Sequence, residues 1–150
     1  MYTKSHMLAE NIFKENNNME ILYRTDIIPN TDHIIELYNS SGINRPTADK
    51  ERIAKMYDNS NLIITAWEND KLVGISRSLT DFCYCCYLSD LAVRKEYQKN
   101  GIGKKLIDLT KDKIGEQTAL ILLSAQTAMD YYPKIGMQNI DNAFLIHRTK

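Results

Sequence analysis

The chain lacks any apolar run approaching the roughly 20 residues that a membrane helix needs, and its N-terminal segment has no continuous apolar core of the kind that marks a secretory signal. It also lacks net charge, because 19 Lys and Arg cancel 19 Asp and Glu. No overall field therefore recruits nucleic acid, an anionic membrane or a polyacidic substrate, and any anion site must be built locally. Cysteine is scarce and odd in number, with all 3 crowded into FCYCCYL as Cys83, Cys85 and Cys86. Zinc motifs bring a second ligand pair at defined spacing, and His6, His33 and His147 stand far apart, so no metal is expected. These absences predict a cytoplasmic protein with reduced thiols. In a strand Cys83 and Cys85 share one face and Cys86 takes the other, and mostly buried thiols are expected.

At 150 residues the chain has the size of one ordinary domain, able to bury about two thirds of its unfolded surface. Residues 1–18, MYTKSHMLAENIFKENNN, end in an asparagine run before a second methionine, Met19, and read as an appendage to a domain spanning 19–150. Leu8, Ile12 and Phe13 fall on one stripe of a short helix, with a disordered segment as the alternative.

A strand at 20–25 leads into a helix capped by Thr31 or Asp32, carrying Ile34, Ile35, Leu37 and Tyr38 and stopping at SSG (Ser40 to Gly42). Pro46 and Thr47 open a second helix, with Asp49 and Glu51 in its first turn and Ile53, Met56 and Tyr57 as anchors. NLIITAWE and KLVGISRSL, joined by Asn69 and Asp70, read as a hairpin. FCYCCYLSDLAV (Phe82 to Val93) reads as a long strand buried on both faces at the sheet centre. From Gly101 to about Gln117, Ile102, Leu106, Leu109 and Ile114 line one side of a helix. ALILLS (Ala119 to Ser124) reads as a buried strand, TAMDYYPKIG as a short helix stopped by Gly136, and AFLIHR (Ala143 to Arg148) as a last strand. This order predicts a single α/β domain with a mixed sheet.

Between the long strand and the third helix stands YQKNGIGKKL. A Walker A loop needs GxxxxGK[ST], but Gln98 stands at its first glycine and Lys105 follows Lys104. A dinucleotide fingerprint needs GxGxxG, but Leu106 occupies the third glycine. What fits is QxxGxG, Gln98 to Gly103, between a strand and an amphipathic helix. The first turn of a helix carries up to four unpaired N–H donors and about half a positive charge, enough to hold a pyrophosphate on a neutral protein. Lys99, Lys104 and Lys105 add attraction or simply form a solvated face.

LSDLAVRKEYQKNGIGKKLID (Leu88 to Asp108) followed by AMDYYPKIGM (Ala128 to Met137) resembles the two signatures of the GNAT superfamily of acyl-coenzyme A dependent N-acetyltransferases, and the likeness covers most of residues 20–148. It implies a single-domain GNAT-like fold, a mixed central sheet of six to seven strands flanked by about four helices, with acetyl-coenzyme A as co-substrate and no metal. The family pairs the end of the long strand with the pantetheine arm, here Leu91, Ala92 and Val93. Its pyrophosphate positions map to Gln98, Lys99, Asn100, Gly101, Ile102, Gly103 and Lys104, mostly through main-chain N–H groups. Tyr132 stands where the family often places a general acid near the coenzyme sulfur, while Tyr131 occupies an apolar position and is expected to pack. Ala125 replaces an asparagine that often contacts the coenzyme, leaving Ser124 or Gln126 to substitute.

The resemblance implies direct transfer: amine attack, an oxyanion held by a strand N–H such as that of Leu91 or Val93, then thiolate departure. A phenol of pKa about 10 can protonate a thiolate whose thiol is nearer 8.5. An alkyl ammonium of pKa about 10.4 must first lose a proton. Asp90 is the expected base and requires burial to raise its pKa or a mediating water, with the ordering of a strand bulge or loop as its alternative role, and Asp81 and Glu68 are secondary candidates. An acyl-cysteine route has no adjacent histidine to activate it. Acceptor choice is expected in SSGINRPT (Ser40 to Thr47), the hairpin strands and QNIDNA (Gln138 to Ala143), with Arg45 or Arg77 able to bind a carboxylate. The expected partner is a small-molecule or peptide amine, not nucleic acid or membrane, and an exposed last strand or the N-terminal segment offers a route to a homodimer. The alternative is a non-catalytic acyl-coenzyme A sensor or interaction module.

Overall fold

The structure, a computed structural model, describes residues 20–150. The expected appendage at residues 1–18 lies outside the described residues. Among these, one sheet runs β1 (Leu22–Arg24), β2 (Leu62–Glu68), β3 (Lys71–Thr80), β4 (Cys85–Val93) and β5 (Ala119–Ile121) in that spatial order. The first four strands are antiparallel neighbours, and β5 is parallel to β4.

Helices α1 (Thr31–Ser41) and α2 (Lys50–Asp58) separate β1 from β2. The cap of α1 is Asn30, not Thr31 or Asp32: its side-chain oxygen accepts from the N–H of Asp32 at 2.9 Å. Likewise Asp49 caps α2 by accepting from Arg52 N–H at 2.9 Å, so Pro46 and Thr47 belong to the loop before the helix. Both helices lay Ile34, Leu37, Tyr38, Ile53 and Tyr57 on one sheet face, against Ile63, Leu72, Ile75 and Ala92. On the opposite face α3 (Ile102–Ile114) buries Ile102, Leu106 and Ile114 against Leu62, Ile64, Ala66 and Val73. Asn69, with φ of 51°, turns β2 tightly into β3.

The β3–β4 ladder contains a bulge. Ser78 pairs with Leu88 and Arg77 with Asp90, so Ser89 is the extra residue on β4. Leu88 and Asp90, two apart, would otherwise share a face. The bulge leaves Leu88 on the α3 side with Cys86 and turns Asp90 toward α1 and α2, beside Arg77.

Several expectations from sequence are corrected. Among the described residues the sheet has five strands, not six to seven. Ala143–Arg148 makes no ladder, and Phe144 and Ile146 are 100% and 97% exposed; an alternating apolar segment becomes a strand only when an edge pairs its backbone. β4 starts at Cys85 because Asp81 caps the preceding turn, its carboxylate accepting from the N–H groups of Cys83, Tyr84 and Cys85 at 2.8–3.0 Å. Buried residues of β4 lie on both faces, Cys86 in the α3-side core and Ala92 in the α1–α2 core, with every second residue only partly buried or exposed, and β5 is short and mostly exposed. Cys83 and Cys85 are consequently exposed, and Cys86 alone is a buried thiol. The expected helix at 127–136 is a 3₁₀ turn, Gln126–Ala128, followed by the single turn α4 (Tyr131–Lys134).

Candidate active site

Strand β4 pairs with β5 only through Cys85–Tyr87 against Ala119–Ile121. Beyond Tyr87 the pairing ends, leaving the β5-side edge of Leu88–Val93 without a ladder among the described residues. Main-chain donors and acceptors on such an edge are available to an extended ligand. The opening leads to the start of α3 through a 3₁₀ turn, Lys95–Tyr97.

The loop between is held by its own side chains. Gln98 Nε2 donates to the carbonyls of Val93 at 2.9 Å and Ser41 at 3.2 Å, tying the loop to the strand end and to α1. Asn100 Nδ2 donates to the carbonyls of Tyr97 and Gln98. Lys99 and Gly101 both adopt left-handed backbone, with φ of 65° and 79°. Gly101 is the N-cap of α3, and the N–H groups of Ile102, Gly103 and Lys104 follow in the first turn, where a helix supplies no internal acceptor. Ile102 is buried in the core, so only its main chain faces the loop. Lys104 is engaged along the helix surface with Asp108 at 2.6 Å, and the helix-start N–H groups supply positive potential beside the exposed Lys99 and Lys105.

Gly103 marks where these elements converge. A β-carbon built there would meet Oη of Tyr131 at 3.2 Å, Cγ2 of Val93 at 3.9 Å and Cδ2 of Leu91 at 4.0 Å. The end of β4, the first turn of α3 and α4 thus surround one spot that an added methyl group would fill. The hydroxyl of Tyr131 reaches the head of α3, which corrects the expectation that this residue only packs: α4 is one turn long and offers no apolar stripe for it. Tyr132 is half-buried with its ring edge-on to that of Tyr131, centroids 5.3 Å apart, and burial raises its pKa, as does its neighbour. It therefore stays protonated at neutral pH. Ser124 Oγ donates to the Ala125 carbonyl, and Gln126 is exposed at the start of its 3₁₀ turn.

Asp90 is fully buried, not solvated. Its Oδ2 accepts from Arg77 Nε at 2.5 Å and Tyr38 Oη at 2.7 Å, and its Oδ1 from Arg45 Nε at 2.5 Å. Tyr57 bonds the Tyr38 hydroxyl at 2.6 Å, and Arg77 further donates to Ser60 Oγ and Ser89 Oγ. Burial opposes the charge on Asp90, but the bonds and charges of Arg77 and Arg45 outweigh it and hold the pKa below the usual carboxylate range. A carboxylate so engaged is unsuited to accept a proton, which corrects its expected role as base. Asp81 is spent on its turn, where those N–H bonds lower its pKa, and Glu68 accepts the hydroxyl of Tyr97. Neither tyrosine of the network stood out in the sequence, because their apolar spacing is also that of ordinary core residues.

The open edge of β4 runs into a helix N-terminus across a glycine pair in an α/β protein, an arrangement suited to an anionic ligand. Comparison with known proteins supplies the family. The model of the acetyltransferase (GNAT) domain matches residues 35–146, and the chain belongs to that family. A protein of unknown function, SA2161, from meticillin-resistant Staphylococcus aureus superposes with a TM-score of 0.73 at 21% identity, covering 86% of this chain and 100% of its own. The GNAT family protein SP0256 from Streptococcus pneumoniae gives 0.67 at 21%, covering 86% and 99%. An aminoglycoside acetyltransferase from an uncultured soil sample, bound to sisomicin, gives 0.63 at 20%, covering 87% and 96%. At these identities the likeness is one of fold. No curated protein matches the chain. Among the described residues no helix is long and apolar enough to cross a membrane.

Proposed function

We propose that the chain is an acetyl-coenzyme A dependent N-acetyltransferase that transfers the acetyl group directly to a primary amine. The observation that carries this reading is the convergence at Gly103, where the end of β4, unpaired helix-start N–H groups and the Tyr131 hydroxyl meet, with Tyr132 packed edge-on against Tyr131. The residues fit the donor. The N–H groups of Ile102, Gly103 and Lys104 would take its pyrophosphate, and the main chain of Leu91–Val93 its pantetheine amides. Gln98 and Asn100 act by holding the loop.

In the transfer a nitrogen–carbon bond forms as the carbon–sulfur bond breaks. Tyr132 gives its proton to the departing sulfur and is restored from water. Since Asp90, Asp81 and Glu68 are all engaged, the nitrogen gives two protons to water in the open cleft, one from the ammonium before attack and one as the amide forms. The same engagement favours a second reading, a coenzyme-binding sensor without turnover, since none of these three carboxylates is free to serve as base.

Titration calorimetry with acetyl-coenzyme A, coenzyme A and ATP, paired with thiol release over an amine panel, tests both. Coenzyme-selective binding with turnover supports the enzyme, and selective binding without turnover supports the sensor. Equal or absent binding of all three nucleotides overturns both.

A further inference from the structure

We propose that the acceptor is an amine that also carries a carboxylate, an amino acid or the carboxyl end of a short peptide, and that Arg45 selects it. The inference rests on the proposed function, since it concerns the acceptor side of the same opening.

The buried network is unbalanced. Two guanidinium groups share one carboxylate, and the salt bridges of Arg45 and Arg77 both end on Asp90. The remaining side chains in contact are neutral. Burial raises the pKa of Tyr38 and of Tyr57, so neither phenol ionises to make up the difference. One positive charge is left over.

That charge is accessible at Arg45. The side chain of Arg77 is 8% exposed, and it spends Nε on Asp90, Nη1 on Ser60 and Nη2 on Ser89. The side chain of Arg45 is 26% exposed and makes single bonds from Nε to Asp90, Nη1 to the Asn44 carbonyl and Nη2 to the Ser89 carbonyl. A guanidinium has five N–H donors, so one hydrogen on each terminal nitrogen remains. Its plane is fixed by three anchors, which suits it to a planar carboxylate. Those anchors also set its place. Arg45 stands on the α1–α2 loop, over Ser89 and Asp90, where β4 has just parted from β5. In the proposed reaction an acceptor entering where β4 leaves β5 meets Arg45 beside Ser89. The same excess charge disfavours a polycationic acceptor.

The test compares acceptors that differ only at the carboxylate, such as amino acids and short peptides against their amides, with wild type, Arg45→Gln and Arg45→Lys. Melting temperature and acetyl-coenzyme A affinity are measured on each protein. For wild type, kcat/KM should be at least about tenfold higher for the acid than for its amide. In Arg45→Gln that preference should vanish through KM, with donor affinity unchanged within about twofold. Arg45→Lys, which keeps the charge but loses the fork, should retain part of the preference and shows whether the effect depends on folding. Independently of turnover, the N-acetylated acids should bind wild type more tightly than the N-acetylated amides by calorimetry. Equal use or equal binding of acids and amides by a donor-binding protein overturns the proposal alone, as does a preference that survives in Arg45→Gln. Failure to bind acetyl-coenzyme A overturns the functional reading as well.

Discussion

Oη of Tyr131 lies 3.2 Å from the place a β-carbon on Gly103 would take. The contact separates the tasks of the two glycines in the loop. Gly101 has φ of 79° with open space around it, so its requirement is conformational, whereas Gly103 leaves room. Gly101→Ala should therefore cost about 1 kcal/mol or somewhat more of stability through left-handed strain. Gly103→Ala displaces the far end of a flexible tyrosine and should leave stability within about 0.5 kcal/mol, while weakening acetyl-coenzyme A at least about tenfold. Denaturant melts beside calorimetry check both, and equal stability losses would remove the distinction.

The two tyrosines of α4 should also separate. Tyr132→Phe should lower kcat by about 10²-fold or more, in the range general acid catalysis supplies, with donor affinity unchanged. Tyr131→Phe, which removes a hydroxyl at the head of α3, should change donor affinity more than kcat. Burial places the Tyr132 pKa above its ordinary value of about 10. The phenol is more than half protonated at pH 10, so any alkaline loss of activity due to Tyr132 should have its midpoint above pH 10 and be absent from Tyr132→Phe. A rate unchanged in Tyr132→Phe removes it from the mechanism.

Asp90 makes a prediction about stability. Asp90→Asn leaves two arginines, one nearly buried, facing a neutral amide, and should cost about 3–5 kcal/mol. The folded-state pKa of Asp90 is depressed, so its contribution is fully present above the unfolded value near 3.9 and disappears as pH falls through the lower folded value. Wild type should accordingly keep this contribution at neutral pH and lose it below about pH 4. Denaturation curves from pH 2 to 7 should show a shallower acid slope for Asp90→Asn, and parallel slopes would mean that another carboxylate dominates.

What could be read from the sequence follows from the range of the forces involved. The glycine loop, the apolar stripe of α3 and the Asn69 turn declare themselves within a few residues, because helix starts and tight turns are local. The partners of Asp90 do not. They depend on the Ser89 bulge, a register event between β3 and β4, and on Tyr38 and Tyr57, whose hydroxyls meet only when α1 and α2 dock side by side. Asp90 consequently read as a base near the expected thioester or as a residue ordering a bulge or loop, with no sign of its two arginines. AFLIHR erred in the opposite sense: its local pattern is that of a strand, but pairing requires an edge elsewhere in the fold.

The cysteines offer a test of direct transfer. Cys83 and Cys85 are exposed in the turn before β4, and Cys86 is buried on the α3 side. Exposure alone would make the first two reactive, but the Asp81 carboxylate beside them disfavours the thiolate and raises both pKa values, for Cys83 after a larger effect of desolvation. Burial raises that of Cys86 as well. None is poised as a nucleophile. A thiol-exchange reagent at neutral pH should label Cys83 and Cys85 slowly and reach Cys86 only after denaturant is added. Replacing Asp81 with Asn should speed labelling of the exposed pair, since the opposing charge is then gone. The double variant Cys83→Ser, Cys85→Ser should retain kcat/KM within about twofold. A loss of two orders of magnitude or more in that variant, together with an acyl adduct on either cysteine detected by mass spectrometry, would replace direct transfer by a two-step route through sulfur.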